Sequence, residues 1–480
     1  MTGTKVSVII TAHNYAEYLE ESIDSVINQT YDEFELVVVD DGSTDETPQI
    51  LREYTFEYPE KIKVVTLGGE GLPTACNRGI EAADGDYIIR LDADDYFDEN
   101  VLTVEASYLD ANPDVDLVYP DYYTVDETGD LIDHVRLPKV GDEVKLLDRS
   151  PLAAGAMYRR ESWEKLGGYN ESLSYQEDYD FWIKFVTEFE VRNVNLPLMY
   201  YRQHGESMST NFAERMNARR NVKRDFVEEN VDYGDIEVLA MIPARREKRV
   251  DLPDGGTDSL ALKELAGRRL IEYTIKEAQS SNHIDRLIVS TEDEEIASVA
   301  KAIGSEVPFL RDSELSSPTT QLSEVTASLL ERLRREEGYD PDVIVVLPYV
   351  SPLRSTDHID EAVDTKVMFS VDSVISVYEN NEFLWRPGKY GLEPLFEERL
   401  LRRERETTYH ENGAIYVTTP NVVLNQDDLI GRHVGHVLMQ ESVSVHIDSV
   451  FDYRTCENII MSGEMTTFSN TELDGSGEDS

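Results

Sequence analysis

The chain is poor in basic residues, in cysteine and in long apolar runs. Lys and Arg total 45 against 96 Asp and Glu, a formal net charge of −51 over 480 residues. A nucleic-acid partner is excluded, because its phosphate backbone is gripped by positive surface that this chain lacks. The 2 cysteines, Cys76 and Cys456, stand far apart, which leaves no disulfide framework and no cysteine-based zinc site. Both read as packing thiols in a reducing compartment. No stretch approaches the roughly 18 uninterrupted apolar residues of a membrane span. The start, MTGTKVSVII, runs into a short apolar strand pattern without the basic region and cleavage site of a signal peptide. The expected location is the cytoplasm.

What the chain does have is enough apolar matter to fold. Hydrophobic residues make up 40%, with 26 Tyr and 14 Phe, so acidity here does not signal disorder. The length suits two large domains better than one core. The acids are spread along the whole chain, and Arg outnumbers Lys about two to one. This composition resembles that of haloarchaeal cytoplasmic proteins, in which dispersed carboxylates keep a protein hydrated in concentrated KCl. It implies self-repulsion, and loss of structure or activity, when screening is removed.

Periodicity organises the first half as strand, helix and strand. Apolar runs at residues 6–10, 34–39, 62–67 and 86–91 alternate with amphipathic stretches at 15–29 and 73–83. That is a βαβαβ opening, hence a parallel α/β sheet with ligands at the C-terminal strand ends. A polar helical stretch at 212–229 reads as a linker. A second α/β series then begins, with strands at 236–242, 286–290 and 343–347 and helices at 270–279 and 294–303. The expected division is a domain over 1–210, a helical linker over 211–235, a domain over 236–462 and an acidic disordered tail over 463–480.

Strand one ends in TAHNY and strand two in VVVDDGSTD, where Asp41 sits just past the strand and Gly42 permits a tight turn. A carboxylate there can accept a base N–H. The block GGEGLPTACNRGIEAADGDYIIRLDADD sets a Gly-rich loop before a helix, then a strand delivering Asp92, Asp94 and Asp95. With 96 acids in 480 residues, a pair spaced by two arises by chance at about one position in 25, so its place after GDYIIRL is what counts. Further on, GGYNESLSYQEDYDFWIKF puts Glu177 and Asp178 ahead of an aromatic helix, either as chemistry or as first-turn acids favoured by the helix N-terminus.

In order and spacing, these blocks resemble the family 2 glycosyltransferases, nucleotide-sugar enzymes of the GT-A fold, over roughly residues 4–210. The resemblance implies that Thr11 and Tyr15 line the base and ribose pocket, Asp41 recognises the base and Arg78 faces the nucleotide. Asp92 and Asp94 match the family's metal motif, implying Mg²⁺ or Mn²⁺ against a diphosphate leaving group. Asp178, with Glu177 beside it, falls at the general base, implying a single displacement with inversion. YYRQHGESMS matches the closing loop, where Arg202 and His204 reach the diphosphate. The implied partners are a UDP- or other nucleotide-sugar donor and a glycan acceptor. A lipid-linked acceptor would bring the protein to the membrane periphery.

The second half carries IPAR, LIEYTI, RLIVSTEDEEIASVAKAIGSEVPFLR, SPLR and ENGAIYV in the order of the acylneuraminate cytidylyltransferases, over roughly residues 236–460. The expected fold is therefore two Rossmann-like nucleotide-diphospho-sugar transferase domains in tandem, GT-A then cytidylyltransferase. The resemblance implies CTP as substrate and a homodimer through this half, with Arg245, Arg354 and Asn412 in the site and His446 and Asp448 at the metal position. Three places depart from the family pattern. REKRVDLPDGGTD has no glycines directly after Arg245, Pro348 replaces a Gln before SPLR, and His446 replaces a carboxylate, a poorer ligand for Mg²⁺. Two readings stay open. In one the half is catalytic, with Arg246, Lys248 and Arg249 helping Arg245 hold phosphates; in the other it is a degenerate, binding or dimerising module.

Overall fold

The first strand, Val6–Ala12 (β1), is buried along all seven residues, as a β-branched run covered on both faces must be. In the computed structural model, which describes residues 5–140, 154–203, 212–246, 259–380, 382–389, 391–396 and 408–462, it centres the first of two units, Met1–Phe226 and Val227–Ser480. After β1 come Ala16–Ile27 (α1), Phe34–Asp40 (β2), Thr47–Glu57 (α2), Ile62–Thr66 (β3), Leu72–Ala82 (α3) and Tyr87–Asp92 (β4). Then follow Tyr96–Phe97 (β5), Val101–Ala111 (α4), Leu117–Val125 (β6), Leu131–Val135 (β7), Met157–Arg159 (β8), Arg160–Leu166 (α5), Glu177–Glu188 (α6) and Val191–Arg202 (β9). Phe212–Asn230 (α7) closes the series.

The sheet order is β3-β2-β1-β4-β8-β6-β9-β5, with β7 on the edge of β6. The strands β3, β2, β1 and β4 run parallel, β8 is antiparallel to both its neighbours, and β6 and β9 are again parallel. The strand order switches direction between β1 and β4, which places a crevice at the C-terminal ends of β2, β1 and β4. β1 runs two residues beyond the expected strand, pairing Thr11 with Asp92 and Ala12 with Asp40, so the polar strand ends stand side by side. Helix α3 lies close on β1 and β2 because Gly79 has no side chain. A Cβ there would come within 2.6 Å of Ile9 Cγ2 and 2.9 Å of Val39 Cγ2.

Helix α7, read as part of a linker over 211–235, carries the boundary between the two units, at Phe226 and Val227. Val222 and Phe226 are buried, and the Arg219 guanidinium lies 4.1 Å from the centre of the Tyr179 ring. Its polar composition hid the apolar positions 222 and 226, four apart on one face.

The second unit continues with Val238–Pro243 (β10), Glu264–Leu265 (β11), Arg268–Arg269 (β12), Leu270–Ser280 (α8), Arg286–Ser290 (β13), Glu294–Ala302 (α9), Leu322–Glu337 (α10) and Val343–Val346 (β14). Thr356–Phe369 (α11), Ser373–Asn380 (β15), Trp385–Gly388 (β16), Gly391–Pro394 (β17), Thr408–Thr418 (β18), Pro420–Gln426 (α12), Val434–Leu438 (β19) and Val450–Ser462 (α13) complete it. Its sheet runs β13-β10-β14-β18-β15-β19, parallel through β14 and then mixed, with β11-β12 and β16-β17 as separate ribbons. Both units are thus α/β. Among the described residues no helix is long and apolar enough to cross a membrane.

Candidate active site

The acidic residues of VVVDDGSTD each build part of a loop. Asp40 Oδ1 accepts from the Ser43 amide at 2.9 Å, turning the chain. Asp45 accepts from the amides of Ala16 (3.0 Å) and Thr47 (3.0 Å), tying the starts of α1 and α2 together. Asn14, left-handed at φ 62°, accepts from the Thr44 amide at 2.7 Å and locks the β1 and β2 loops side by side. Gly42, at φ 77°, lets the turn press on the Gly-rich loop, where a Cβ would sit 3.0 Å from the Gly69 nitrogen.

Asp41 has a job the resemblance did not imply. Its carboxylate accepts from the amides of Gly69 (3.0 Å), Glu70 (2.7 Å) and Gly71 (2.8 Å), holding that loop against β2. Three of about four lone-pair directions are therefore spent, which leaves one for a ligand. Beside it, His13 Nδ1 lies 2.6 Å from the Asp41 carbonyl.

These loops wall a cavity of about 500 Å³ that gathers Thr11, Tyr15, Asp41, Asp92 and Asp94. His13, Gly69, Gly71 and Tyr201 also line it, and sequence reading had passed over His13 and Tyr201. Arg78 is not on its wall; it is half-buried on α3 and paired with Glu81 at 2.8 Å. In YIIRLD, Arg90 shares a face with Asp92, and its Nε lies 3.3 Å from Asp92 Oδ1 with Cys76 Sγ 3.8 Å from Nη1.

Arg202, expected at the diphosphate, is held by protein groups. It is buried, its Nε donates to the Asp94 carbonyl at 2.9 Å, and its amide donates to Asp95 Oδ1 at 2.8 Å. Its Nη2 pairs with Glu21 and its Nη1 donates to the Glu127 carbonyl at 3.0 Å. The guanidinium thus shapes the acidic turn from behind. His204 lies outside the described residues.

Behind the two cavity acids, Asp95 is buried with Oδ2 lacking a partner, and burial together with Asp92 and Asp94 holds its carboxyl well above the usual range. Such crowding of carboxylates is relieved by a cation. Among the described residues no group of three His, Cys, Asp or Glu is arranged to hold a metal. The two oxygen donors of Asp92 and Asp94 nevertheless suit Mg²⁺ or Mn²⁺ completed by diphosphate oxygens and water.

Glu177 and Asp178 open α6, after Gln176 at φ 63°. Glu177 is buried near Arg90 and Asp92, and burial, reinforced by Asp178 and opposed by Arg90, pushes its carboxyl up to about 7. Neither residue is on the cavity wall. The segment before them is pinned by Asn77, whose Nδ2 donates to the Tyr169 carbonyl (2.9 Å) and Glu171 (3.0 Å) and whose Oδ1 accepts from the Tyr169 amide (2.8 Å).

In the second unit a cavity of about 340 Å³ is lined by Arg245, Arg311, Ser317, Tyr349, Tyr416 and His446 among others, with no carboxylate among the described residues of its wall. Arg245 Nη1 donates to the Ser317 carbonyl at 2.9 Å, and Arg311, unforeseen from sequence, pairs with Glu292 at 2.8 Å. Three expected site residues, Arg354, Asn412 and Asp448, lie off the wall. Arg354 is fully buried and donates to the carbonyl of Ala414 (2.5 Å) and the Thr274 hydroxyl (2.8 Å), joining β18 to α8. Asn412 is buried, accepting from Ser376 (2.5 Å) and donating to Ser444 (2.9 Å). Exposed Asp448 stands 3.6 Å from His446, and this pair does not fit a Mg²⁺ site, because one donor is an imidazole. Lys248 and Arg249 lie outside the described residues.

Comparison with known proteins agrees with this division. The profile of Glycosyl transferase family 2 matches residues 7–167, and that of Cytidylyltransferase matches residues 261–369. The chain belongs to glycosyl transferase family 2, with a cytidylyltransferase domain following in the same polypeptide. An uncharacterised glycosyltransferase of Haemophilus influenzae is 30% identical over 245 residues, 48% of this chain and 73% of that protein. Chondroitin synthase of Escherichia coli is 28% identical over 205 residues, 42% of this chain, which thus spans only 30% of that relative's length. Among solved structures, S. aureus TarS 1–349 in complex with UDP-GlcNAc aligns at 25% identity with a TM-score of 0.41, over 48% of this chain and 68% of that one.

Proposed function

We propose that the first unit is an inverting, metal-dependent glycosyltransferase that moves a sugar from a UDP- or other nucleotide-sugar to an acceptor hydroxyl in surface glycan or glycoprotein synthesis. The observation that carries this reading is one cavity, at the ends of β2, β1 and β4, which gathers Asp41, Thr11, Tyr15, Asp92 and Asp94. Tyr15, Thr11 and the last lone pair of Asp41 would hold the nucleoside. Asp92 and Asp94 would hold Mg²⁺ or Mn²⁺, whose chemistry is to neutralise the leaving diphosphate.

Asp178 takes the acceptor hydroxyl proton as that oxygen bonds to the anomeric carbon and the carbon–diphosphate bond breaks on the opposite face. One such displacement inverts the anomeric centre. Glu177, buried beside it, sets the local field at the start of α6. The test separates binding from turnover. Asp178→Asn is expected to keep donor affinity within about twofold and to lose turnover by ~10²-fold or more. Wild-type turnover in Asp178→Asn would remove it from the base role.

For the second unit, the two guanidiniums on the described wall of the cavity favour binding of an anionic nucleotide such as CTP. Dimerisation through this unit is the companion proposal. Calorimetry of CTP with Mg²⁺ against the full chain separates the readings: saturable binding without pyrophosphate release supports a binding module, and release supports a bifunctional enzyme.

A further inference from the structure

The cavity of the first unit has a wall that the proposed chemistry leaves unused. Tyr201 lines it together with Asp92 and Asp94, and its residue surface is 40% exposed. An aromatic side chain left that open beside carboxylates contributes little to a core. It is nonetheless held in place: the Tyr122 ring meets it edge-on, with centroids 5.9 Å apart and planes at 61°. The register of β6 and β9 explains the selection. Tyr122 opposes Met199 and Thr124 opposes Tyr201, so Tyr122 and Tyr201 share one face, while Tyr123 and Tyr200 stack together on the other.

The order of strands fixes the side. In the sheet, β2 lies on one side of β1 and β4 while β9 lies on the other, and β5, which directly follows the acids, pairs with β9 through Tyr96 and Tyr200. Tyr201 is therefore across the acids from Asp41 and Tyr15. If the acids mark the diphosphate, the group bonded to that diphosphate on the Tyr201 side is the donor's sugar.

The wall also has the chemistry of a sugar site. The C–H face of a pyranose packs on the negative face of an aromatic ring, while its hydroxyls hydrogen-bond to neighbouring carboxylates and to a phenol O–H.

We propose that Tyr201, braced edge-on by Tyr122, is the stacking surface for the pyranose ring of the nucleotide-sugar donor. The inference rests on the glycosyltransferase reading and adds a subsite to it.

The experiment titrates UDP, GDP and dTDP, and the glucose and N-acetylglucosamine conjugates of each, into the full chain in molar KCl with MnCl₂. Wild type, Tyr201→Ala, Tyr201→Phe and Tyr122→Phe are compared, each first shown folded by thermal melting. Tyr201→Ala is expected to bind the sugar conjugate about tenfold more weakly, with affinity for the bare diphosphate unchanged, and Tyr201→Phe to stay within about threefold of wild type. Equal affinities in wild type and Tyr201→Ala, or an equal loss for conjugate and bare diphosphate, overturn the subsite. Failure of wild type to bind any of these ligands overturns instead the donor reading on which it rests.

Discussion

Glu105 is the residue whose placement costs the fold most visibly. It is completely buried in α4, neither carboxylate oxygen has a hydrogen-bond partner, and burial alone holds its carboxyl well above the usual range. The folded state therefore binds a proton that the unfolded chain, with a pKa near ~4.3, releases earlier. Stability from this group is present below that value and falls as pH rises towards the folded pKa. Glu105→Met removes both polar atoms and is expected to gain about 1–3 kcal/mol at pH 8 and less at pH 5, read by thermal melts in molar KCl. An equal effect at both pH values would mean that the carboxyl has found a partner. At this scale, sequence was a good guide to residues acting through chain neighbours. Asp41, Asp92 and Asp94 were legible from DDGSTD and RLDADD, and all line the cavity. Arg202 was not, because its contacts with Asp94 and Asp95 lie 108 and 107 positions away in sequence. Arg90 was legible in principle, since period-two alternation alone puts it on the Asp92 face.

Among the elements, α6 depends on a segment that has little structure of its own. Asn77 on α3 makes three hydrogen bonds to Tyr169 and Glu171, and Gly168 fits only because a Cβ there would stand 2.8 Å from Asn77 Oδ1. Asn77→Ala leaves the buried Tyr169 amide and carbonyl unpaired and is expected to cost about 2–3 kcal/mol. Turnover should fall further than donor affinity, because the shifted segment leads to Glu177 and Asp178. A chemical denaturation series and donor titration of the same variant check both statements; unchanged turnover would detach α6 from the chemistry. The helical and strand periodicities were legible because each is local. The packing of helix α7 was not legible, because long cationic side chains pack through their stems and aromatic contacts, as Arg219 does on Tyr179.

For the whole molecule the dominant quantity is the charge of −51. At 0.01 M ionic strength the Debye length is about 30 Å, a domain's width, and at 1 M it is about 3 Å. Removing salt therefore lets every surface carboxylate feel the others. Dialysis from molar KCl to dilute buffer is expected to unfold the chain or abolish activity, followed by far-UV circular dichroism, with recovery on adding salt back. Full structure and activity in dilute buffer would contradict the high-salt reading. The two units also have different stakes in metal. Asp92 and Asp94 supply a hard-oxygen pair in the first, whereas the pair at the expected metal position of the second is His446 beside Asp448.

The measurement that tests the central claim most directly is release of nucleoside diphosphate from a panel of nucleotide-sugars by the full chain in molar KCl, with Mn²⁺ and with chelator, for wild type and Asp94→Ala. The account predicts release by wild type with Mn²⁺, a loss of at least ~10²-fold with chelator, and a similar loss in folded Asp94→Ala with metal. Equal release by wild type and Asp94→Ala, or release indifferent to chelation, would contradict it.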